Sequence, residues 1–223
     1  MKITKEDIVI LNNIAGISQS VVIHPGNVVR GISESESVIV YAETGINFPV
    51  ICGIYNLPRF VSAISMFDLD KIKIEFDEEN GEGKTVTLSD GSRSARYTLN
   101  NPKLIDQPPP TINMPSDSVD LSLPWETLQG ILRASSALQL PAIRFKAENN
   151  KMTIEGYNPS DPTADLYVVD YGDTEYPDFS LSIRSELLKV LPMDYHVILS
   201  DKGITCFKSD KITYYIGTMT TAE

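Results

Sequence analysis

The sequence predicts an α+β protein of two similar domains, each with two helices packed on antiparallel sheets. Three observations carry that expectation. A proline-rich segment sits near the midpoint of the 223 residues, a helix-then-strands order occurs on both sides of it, and the halves show a faint self-similarity at a shift of 120 positions. That shift superposes Ile3 on Leu123, Glu6 on Glu126, Ile8 on Leu128 and Leu11 on Ile131. Self-similarity at a fixed period is a fold-level signal.

The first helix is expected over residues 4–16. Ile8, Leu11 and Ala15 fall at helical spacing, and Thr4 stands at the cap position with Asp7 three residues later. The runs VVIHPGNVVRGI and VIVYAE follow, alternating and punctuated by Gly, Pro and Asn, which is the strand-and-turn pattern. Asn56 then caps a second helix over 57–66, LPRFVSAISM, with Leu57, Phe60, Val61 and Ile64 on one face. Strands at KIKIEF and TVTL complete this half.

The midpoint stretch NNPKLIDQPPPTINMPSD holds five of the fourteen prolines. Proline fixes φ and removes a backbone donor, so this stretch is neither helix nor central strand, and it reads as an extended, stiff linker. The expected division is an N-terminal domain 1–100, a linker 101–117 and a C-terminal domain 118–223. In the second half a helix is expected over 124–138, with Leu128, Ile131, Ser135 and Leu138 in register and Pro124 suited to the first helical position. AIRFKAENNKMTIEGYN reads as strands. Ser185 precedes ELLKVL, so a second helix is expected over 183–191, and YHVIL, ITCF and TYYI close the domain as strands.

Composition narrows the function. Hydrophobic residues at 42% and charged residues at 22% allow a real core. The 19 Lys and Arg against 30 Asp and Glu give a net charge of −11, which argues against a protein that simply coats nucleic acid. The charge is unevenly placed. The four expected helices contain Lys5, Arg59, Arg133, Arg184 and Lys189 against Glu6, Asp7, Glu126 and Glu186, a balance of +1 that leaves −12 for the rest. All four acids stand in first turns, where the helix dipole favours them. The helices are thus the least acidic part of the chain.

Chemistry is hard to find. GEGKT at 81–85 lacks the earlier glycine of a phosphate loop and runs into a strand pattern, so it reads as a hairpin turn. Asp170, Asp173, Glu175 and Asp178 lack the ligand spacing of a calcium loop. Cys52 and Cys206 sit apart in apolar stretches and read as small buried hydrophobes, and His24 and His196 adjoin no nucleophile motif. No enzyme, metal or cofactor is expected. MKITKEDIVILNN has no signal-peptide pattern, and no apolar run reaches the ~20 residues of a membrane span, so a soluble intracellular protein without membrane attachment is expected.

Two stretches carry a family resemblance: VIVYAETGINFPVICGIYNLPRFVSAISMFD, around the second helix, and VDLSLPWETLQGILRASSALQLPAIRFKAENNKMTIEGYN, opening the second half. They resemble the sliding clamps, the DNA polymerase processivity factors, of T-even-type bacteriophages, and the length and midpoint linker agree. The resemblance implies the DNA clamp fold, assembled head to tail as a homotrimeric ring with strands outside and helices around a central hole. Double-stranded DNA would pass through that hole without sequence specificity while the ring tethers the viral DNA polymerase. It further implies loading by an ATP-dependent clamp loader, support of late viral transcription through RNA polymerase with late transcription factors, and residence in the cytoplasm of the infected bacterial host.

The resemblance also implies site residues. Arg133 and Lys5 match basic positions of the family's hole-lining helices, and Arg59 and Lys189 are the further DNA-facing candidates. Asn12 and Asn13 stand where a lysine is typical, and a basic residue is missing around Ser136, so this lumen is expected to be less positive than usual. Partner peptides of such clamps bind beside the linker. Leu104, Ile105 and Ile112 are the linker candidates, with Tyr214 and Ile216 of the last strand as a wall. The competing expectation is a non-enzymatic structural or adaptor phage protein, rich in strands, that never surrounds DNA.

Overall fold

The computed structural model describes residues 3–116 and 118–219. The chain divides into two compact units, Met1–Thr111 with Lys211–Thr213, and Ile112–Asp210 with Tyr214–Glu223. The division falls inside the proline-rich stretch.

The first unit runs α1 (Lys5–Ala15), β1 (Val21–Ile23), β2 (Gly26–Ile32), β3 (Val38–Phe48), β4 (Cys52–Ile54), α2 (Leu57–Ser65), β5 (Lys73–Glu79), β6 (Glu82–Ser89) and β7 (Ser94–Thr98). β2 pairs with β3, β1 with β4, and β5, β6 and β7 form a meander, all antiparallel. The β5–β6 turn places Asn80 and Gly81 at φ 56° and 80°, the primed geometry that matches strand twist, so GEGKT is the start of a strand.

α1 begins with a full capping box. Thr4 Oγ1 accepts from Asp7 N–H, and the Asp7 carboxylate takes the Thr4 N–H at 2.8 Å and the Thr4 hydroxyl at 2.7 Å. The other Asp7 oxygen accepts from Gly45 N–H in β3 at 2.5 Å. A Cβ at Gly45 would sit 3.2 Å from both carboxylate oxygens, which is why glycine stands there. The buried stripe of α1 is Asp7, Ile10, Leu11 and Ile14, shifted from the Ile8–Leu11–Ala15 face expected from spacing. α2 follows expectation: Asn56 Oδ1 caps Arg59 N–H at 2.9 Å, and Leu57, Phe60, Val61 and Ile64 are all buried. Phe60 packs edge-on to Tyr97 of β7 at 5.1 Å, whose hydroxyl donates to the Asn56 carbonyl.

A single 3₁₀ turn, Pro102–Leu104, precedes the second unit. That unit contains β8 (Val119–Leu123), α3 (Trp125–Ala137), β9 (Ala142–Glu148), β10 (Lys151–Tyr157), β11 (Tyr167–Asp173), β12 (Phe179–Arg184), β13 (Tyr195–Leu199), β14 (Ile204–Lys208) and the Tyr214–Gly217 part of β15 (Ile212–Gly217). One sheet has the order β11-β10-β9-β12, and a second layer the order β8-β13-β14-β15. Its core is aromatic: Tyr195 packs edge-on to Phe207 at 6.0 Å and to Tyr214 at 6.1 Å, and Phe145 to Phe207 at 6.5 Å. Pro124 occupies the N-cap of α3 and has no side chain to offer. Asp194, from the loop before β13, supplies the missing acceptor to Trp125 N–H at 2.7 Å.

The helix expected over 183–191 is not there. Residues to Arg184 belong to β12, and only Ser185–Leu187 form a 3₁₀ turn. The apolar spacing of ELLKVL is satisfied for less than two turns before Pro192, and the residue preceding a proline is pushed out of the helical region. Leu191 shows the competing arrangement. Its N–H donates to the Tyr214 hydroxyl at 3.1 Å and its carbonyl accepts from the Tyr195 hydroxyl at 2.7 Å. Two buried phenols hold this segment instead of helical bonds. Among the described residues there are therefore three α-helices where four were expected.

The Asp7 carboxylate ties a helix end to a strand with charge-assisted bonds, so Asp7→Ala should lower the unfolding free energy by about 3 kcal/mol in a denaturant titration. Thr205 is fully buried and its Oγ1 has no hydrogen-bond partner among the described residues. The isosteric Thr205→Val should therefore raise the melting temperature, with a gain of about 1 kcal/mol. Cys52 and Cys206 are buried and free, and burial pushes their thiols up to about 12 and about 11. Neither should react with an alkylating agent near neutral pH until denaturant is added, which mass spectrometry would read directly.

Candidate nucleic-acid interface and partner surface

The basic helix residues all reach solvent. Lys5 opens α1, Arg59 lies in the first turn of α2, and Arg133 sits on α3 opposite its buried Leu128–Ile131–Ser135 stripe. Lys189 is exposed too, but stands on the non-helical turn after Leu187. Within the first unit α1 packs against α2, so Lys5 and Arg59 ride on neighbouring helices.

Charge pairing separates these residues from most other cations. Lys71, Lys84, Arg93, Arg144, Lys146, Lys151, Arg184, Lys202 and Lys211 each pair with a carboxylate. Lys5, Arg59 and Arg133 have no ion pair among the described residues. The acids beside Lys5 are already used: Asp7 is only 2% exposed in its capping box, and Glu6 pairs with Lys211 at 2.5 Å. The helices thus present uncompensated positive charge on a chain whose remainder is acidic. Exposed, unpaired Lys and Arg can exchange one phosphate for another, whereas a half-buried, paired Arg such as Arg144 cannot. Arg144 Nε donates to Glu155 at 2.8 Å and its guanidinium covers the Tyr157 ring at 4.3 Å.

The acidic residues noted in the sequence have local structural work. Asp170 accepts from Gly172 N–H, Asp173 pairs with Lys151, and Asp178 accepts from Asn149 N–H. Among the described residues no group of three or more His, Cys, Asp or Glu comes together to hold a metal. His24 and His196 go to Gln107 and Asp120, each at 2.9 Å.

The expected partner surface is corrected in part. Leu104 is 79% exposed and remains available. Ile105 is buried, and Ile112 is half-buried. Tyr214 and Ile216 are fully buried and cannot form a wall for a peptide. Strand alternation is the reason. β15 buries Ile212, Tyr214 and Ile216 on one face and leaves Thr213, Tyr215 and Gly217 less buried on the other. Tyr215 is the residue the sequence reading missed, and its hydroxyl lies 3.5 Å from the Ile112 carbonyl. Tyr55 was missed as well. It is 60% exposed just before the Asn56 cap, where the entering chain turns outward, and lines a cleft with Ile32 and Asp106.

Residues 120–220 match the family model described as gp45 sliding clamp, C terminal. The chain is 27% identical to the sliding clamp of Vibrio phage KVP40 over 98% of its own length and 99% of that protein. It is 26% identical to the sliding clamp of Escherichia phage RB69 over 97% and 96% of the two chains, and 25% identical to that of Enterobacteria phage T4 over 91% and 89%. Over nearly its whole length the chain is similar to the sliding clamps of T4-type phages. Solved structures agree on the fold. A structure of A. fulgidus PCNA with the C-terminal region of FEN-1 superposes with a TM-score of 0.71 at 12% identity, covering 97% and 96% of the chains. The β subunit of Streptococcus pyogenes DNA polymerase gives 0.68 at 15% identity, covering 97% of this chain and 63% of that one. This chain thus shares its α+β fold with those structures. The aromatic core and the two-layer sheets described above are its local realisation here.

Arg133 stands out, because among the second unit's described residues it alone combines a helix position, exposure and the absence of an ion pair. Exchanging it for Ala should leave the melting temperature within about 1 °C, since surface substitutions away from caps and cores are nearly neutral.

Proposed function

We propose that this chain is a sliding clamp that encircles double-stranded DNA and tethers the viral replicative polymerase to its template. Three copies assemble head to tail, giving six strand-bearing units around one hole lined by α1, α2, α3 and the Ser185–Leu187 turn. The observation that carries this reading is the charge partition. Lys5, Arg59 and Arg133 are exposed and without ion pairs, Lys189 is exposed beside them in role, and the rest of the chain is strongly acidic.

The mechanism is topological rather than chemical. A ring need not bind DNA tightly, because escape requires opening it. Each phosphate neutralised by a protein cation steepens the salt dependence of binding and slows translocation, so a few weak contacts suit a sliding ring better than many. The acidic exterior repels duplex from the rim, leaving the hole as the permissive path. No bond is made or broken by the clamp, and the two units with their proline-rich connection serve as a repeated structural module.

The reading extends to partners. An ATP-dependent loader opens the ring, and the same clamp supports late transcription by tethering RNA polymerase with its late factors in the cytoplasm of the infected host. Leu104, with Tyr55 of the same unit, replaces the buried Tyr214 and Ile216 as the candidate contact for partner peptides. No helix among the described residues is long and apolar enough to cross a membrane, in keeping with this role.

The decisive experiment is retention on DNA. The clamp should stay on circular DNA after loading and leave when the circle is cut, with a light-scattering mass of three chains. Replacing Arg133 and Lys189 by Glu should reduce long-product synthesis about tenfold, an effect of ~1.4 kcal/mol, without changing the melting temperature. Equal retention on linear and circular DNA would instead favour an adaptor that never surrounds the duplex.

A further inference from the structure

The end of β3 and the connection to β4 alternate strictly. Ile46, Phe48 and Val50 are buried, whereas Gly45, Asn47 and Pro49 are exposed. β5 alternates too, with Ile74 buried and Phe76 half-buried between the exposed Lys73, Glu75 and Asp77. Between these two segments of the first unit lies an open groove of about 580 Å3, within the roughly 300–1,000 Å3 range of ligand pockets. Asn47, Pro49, Val50, Ile74, Phe76 and Glu78 line it, so its walls are mostly apolar. It shares no residue with the Leu104 and Tyr55 surface.

Both walls are preformed. The bond from Gly45 N–H to the buried Asp7 carboxylate pins the end of β3. Just past Val50, Ile51 donates its N–H to the Gly81 carbonyl at 3.0 Å and accepts from Gly83 N–H at 2.8 Å. These bonds tie the β3–β4 connection to the β5–β6 hairpin. Phe76 stands edge-on to Phe48 of the core, with ring centroids 6.4 Å apart. A groove held open in this way spares an occupant the cost of ordering it.

The charge beside the groove has one sign. Glu75, Asp77, Glu78 and Glu79 are exposed along β5, and of these only Glu79 has an ion pair among the described residues, with Lys84. Glu78 accepts from Gly81 N–H at 2.7 Å, which holds its carboxylate at the groove. Acidic side chains alone would serve to blunt a strand at the end of its sheet. They do not account for a rigid apolar groove kept open next to them. We infer that this groove docks a peptide segment of another protein, one large apolar side chain set among Lys or Arg. The apolar side chain seats against Pro49, Val50, Ile74 and Phe76, and the flanking cations meet the field of Glu75, Asp77 and Glu78, which also steers their approach. The same field repels nucleic acid. A second copy is the poorer match, because the unpaired cations Lys5, Arg59 and Arg133 sit on helices that the ring reading turns towards DNA. In that one respect the inference rests on the ring reading.

Fluorescence anisotropy tests this with the full chain and a short labelled peptide in which adjacent Phe and Leu are flanked by pairs of Lys. Asn47→Trp fills the groove and Glu78→Lys reverses its rim, and each should raise the Kd of the peptide about tenfold. Replacing Phe and Leu of the peptide by Ala should cost as much. Asp201→Lys makes the same charge change in the second unit, and Leu104→Ala removes the other candidate contact, so both should bind the peptide as the parent does. All four positions are exposed, and melting temperatures should stay within about 1 °C of the parent. A parent that does not bind, or binding that survives Asn47→Trp, overturns the inference. So does a loss with Asp201→Lys equal to that with Glu78→Lys, since general acidity would then explain the affinity. A sedimentation mass that falls with Asn47→Trp would make the occupant a second copy and overturn it likewise. Retention on circular DNA is read separately, so failure here and failure of the ring reading are distinguishable.

Discussion

The position of α1 depends on one carboxylate. Asp7 is nearly inaccessible, and its two oxygens accept from the helix cap on one side and from Gly45 of β3 on the other. A buried carboxylate is costly unless its lone pairs are satisfied, and here three donors converge on it. This tie fixes the rotation of α1 about its axis. Ile10, Leu11 and Ile14 are committed to the core, and the opposite face, which begins at Lys5, is committed to solvent. The exposure of an unpaired lysine at the helix start is thus a consequence of a structural bond made two residues later.

The second unit meets the same constraint with different atoms. At the shift of 120 residues, Thr4 and Asp7 correspond to Pro124 and Thr127, so the capping box is lost. Proline at the N-cap cannot accept an N–H through its side chain. Asp194, 69 positions away, does so instead. A helix N-terminus has unsatisfied donors whichever sequence builds it, and a carboxylate is the favoured answer because it also meets the helix dipole. Two halves that have lost nearly all identity still place a carboxylate at this point, and Arg133 inherits its outward position from the second arrangement as Lys5 does from the first.

These differences show what a sequence reveals and what it hides. Thr4 and Asn56 were legible as caps because their acceptors act three residues away, within the reach of a local pattern. The hairpin at Asn80–Gly81 was legible because positive φ demands those residue types. Asp194 was not legible, since nothing in the local sequence links it to Trp125. The helix expected at ELLKVL failed for a similar reason. Its apolar spacing is real, but Pro192 limits it from one end and the hydroxyls of Tyr195 and Tyr214 take over the backbone of Leu191. For β15 the alternation was legible but its sense was not, because a strand of ITYYI has an apolar or aromatic residue on both faces. Of the site residues, exposure of Arg59 and Arg133 followed from helix periodicity, which left Lys5 nearer the flank of its helix, whereas the burial of Tyr214 and Ile216 required the second sheet.

The same logic explains how an acidic protein can serve DNA. Most carboxylates here are either bonded to backbone N–H groups, as in Asp161, Asp170 and Asp178, or paired with a nearby cation, as in Glu79, Glu155 and Asp173. Pairing consumes cations as well as anions, so the positive charges that remain free are few and their location decides where a polyanion is tolerated. Three of them lie on the outward faces of helices whose inward faces are fixed by Asp7, Asn56 and Asp194. On the proposed reading, the net charge of −11 marks the surface from which DNA is excluded, and the helix caps set where that exclusion lapses. On that same proposal, a clamp with this distribution would hold its template by closure and leave its affinity low, which is the condition for moving along it.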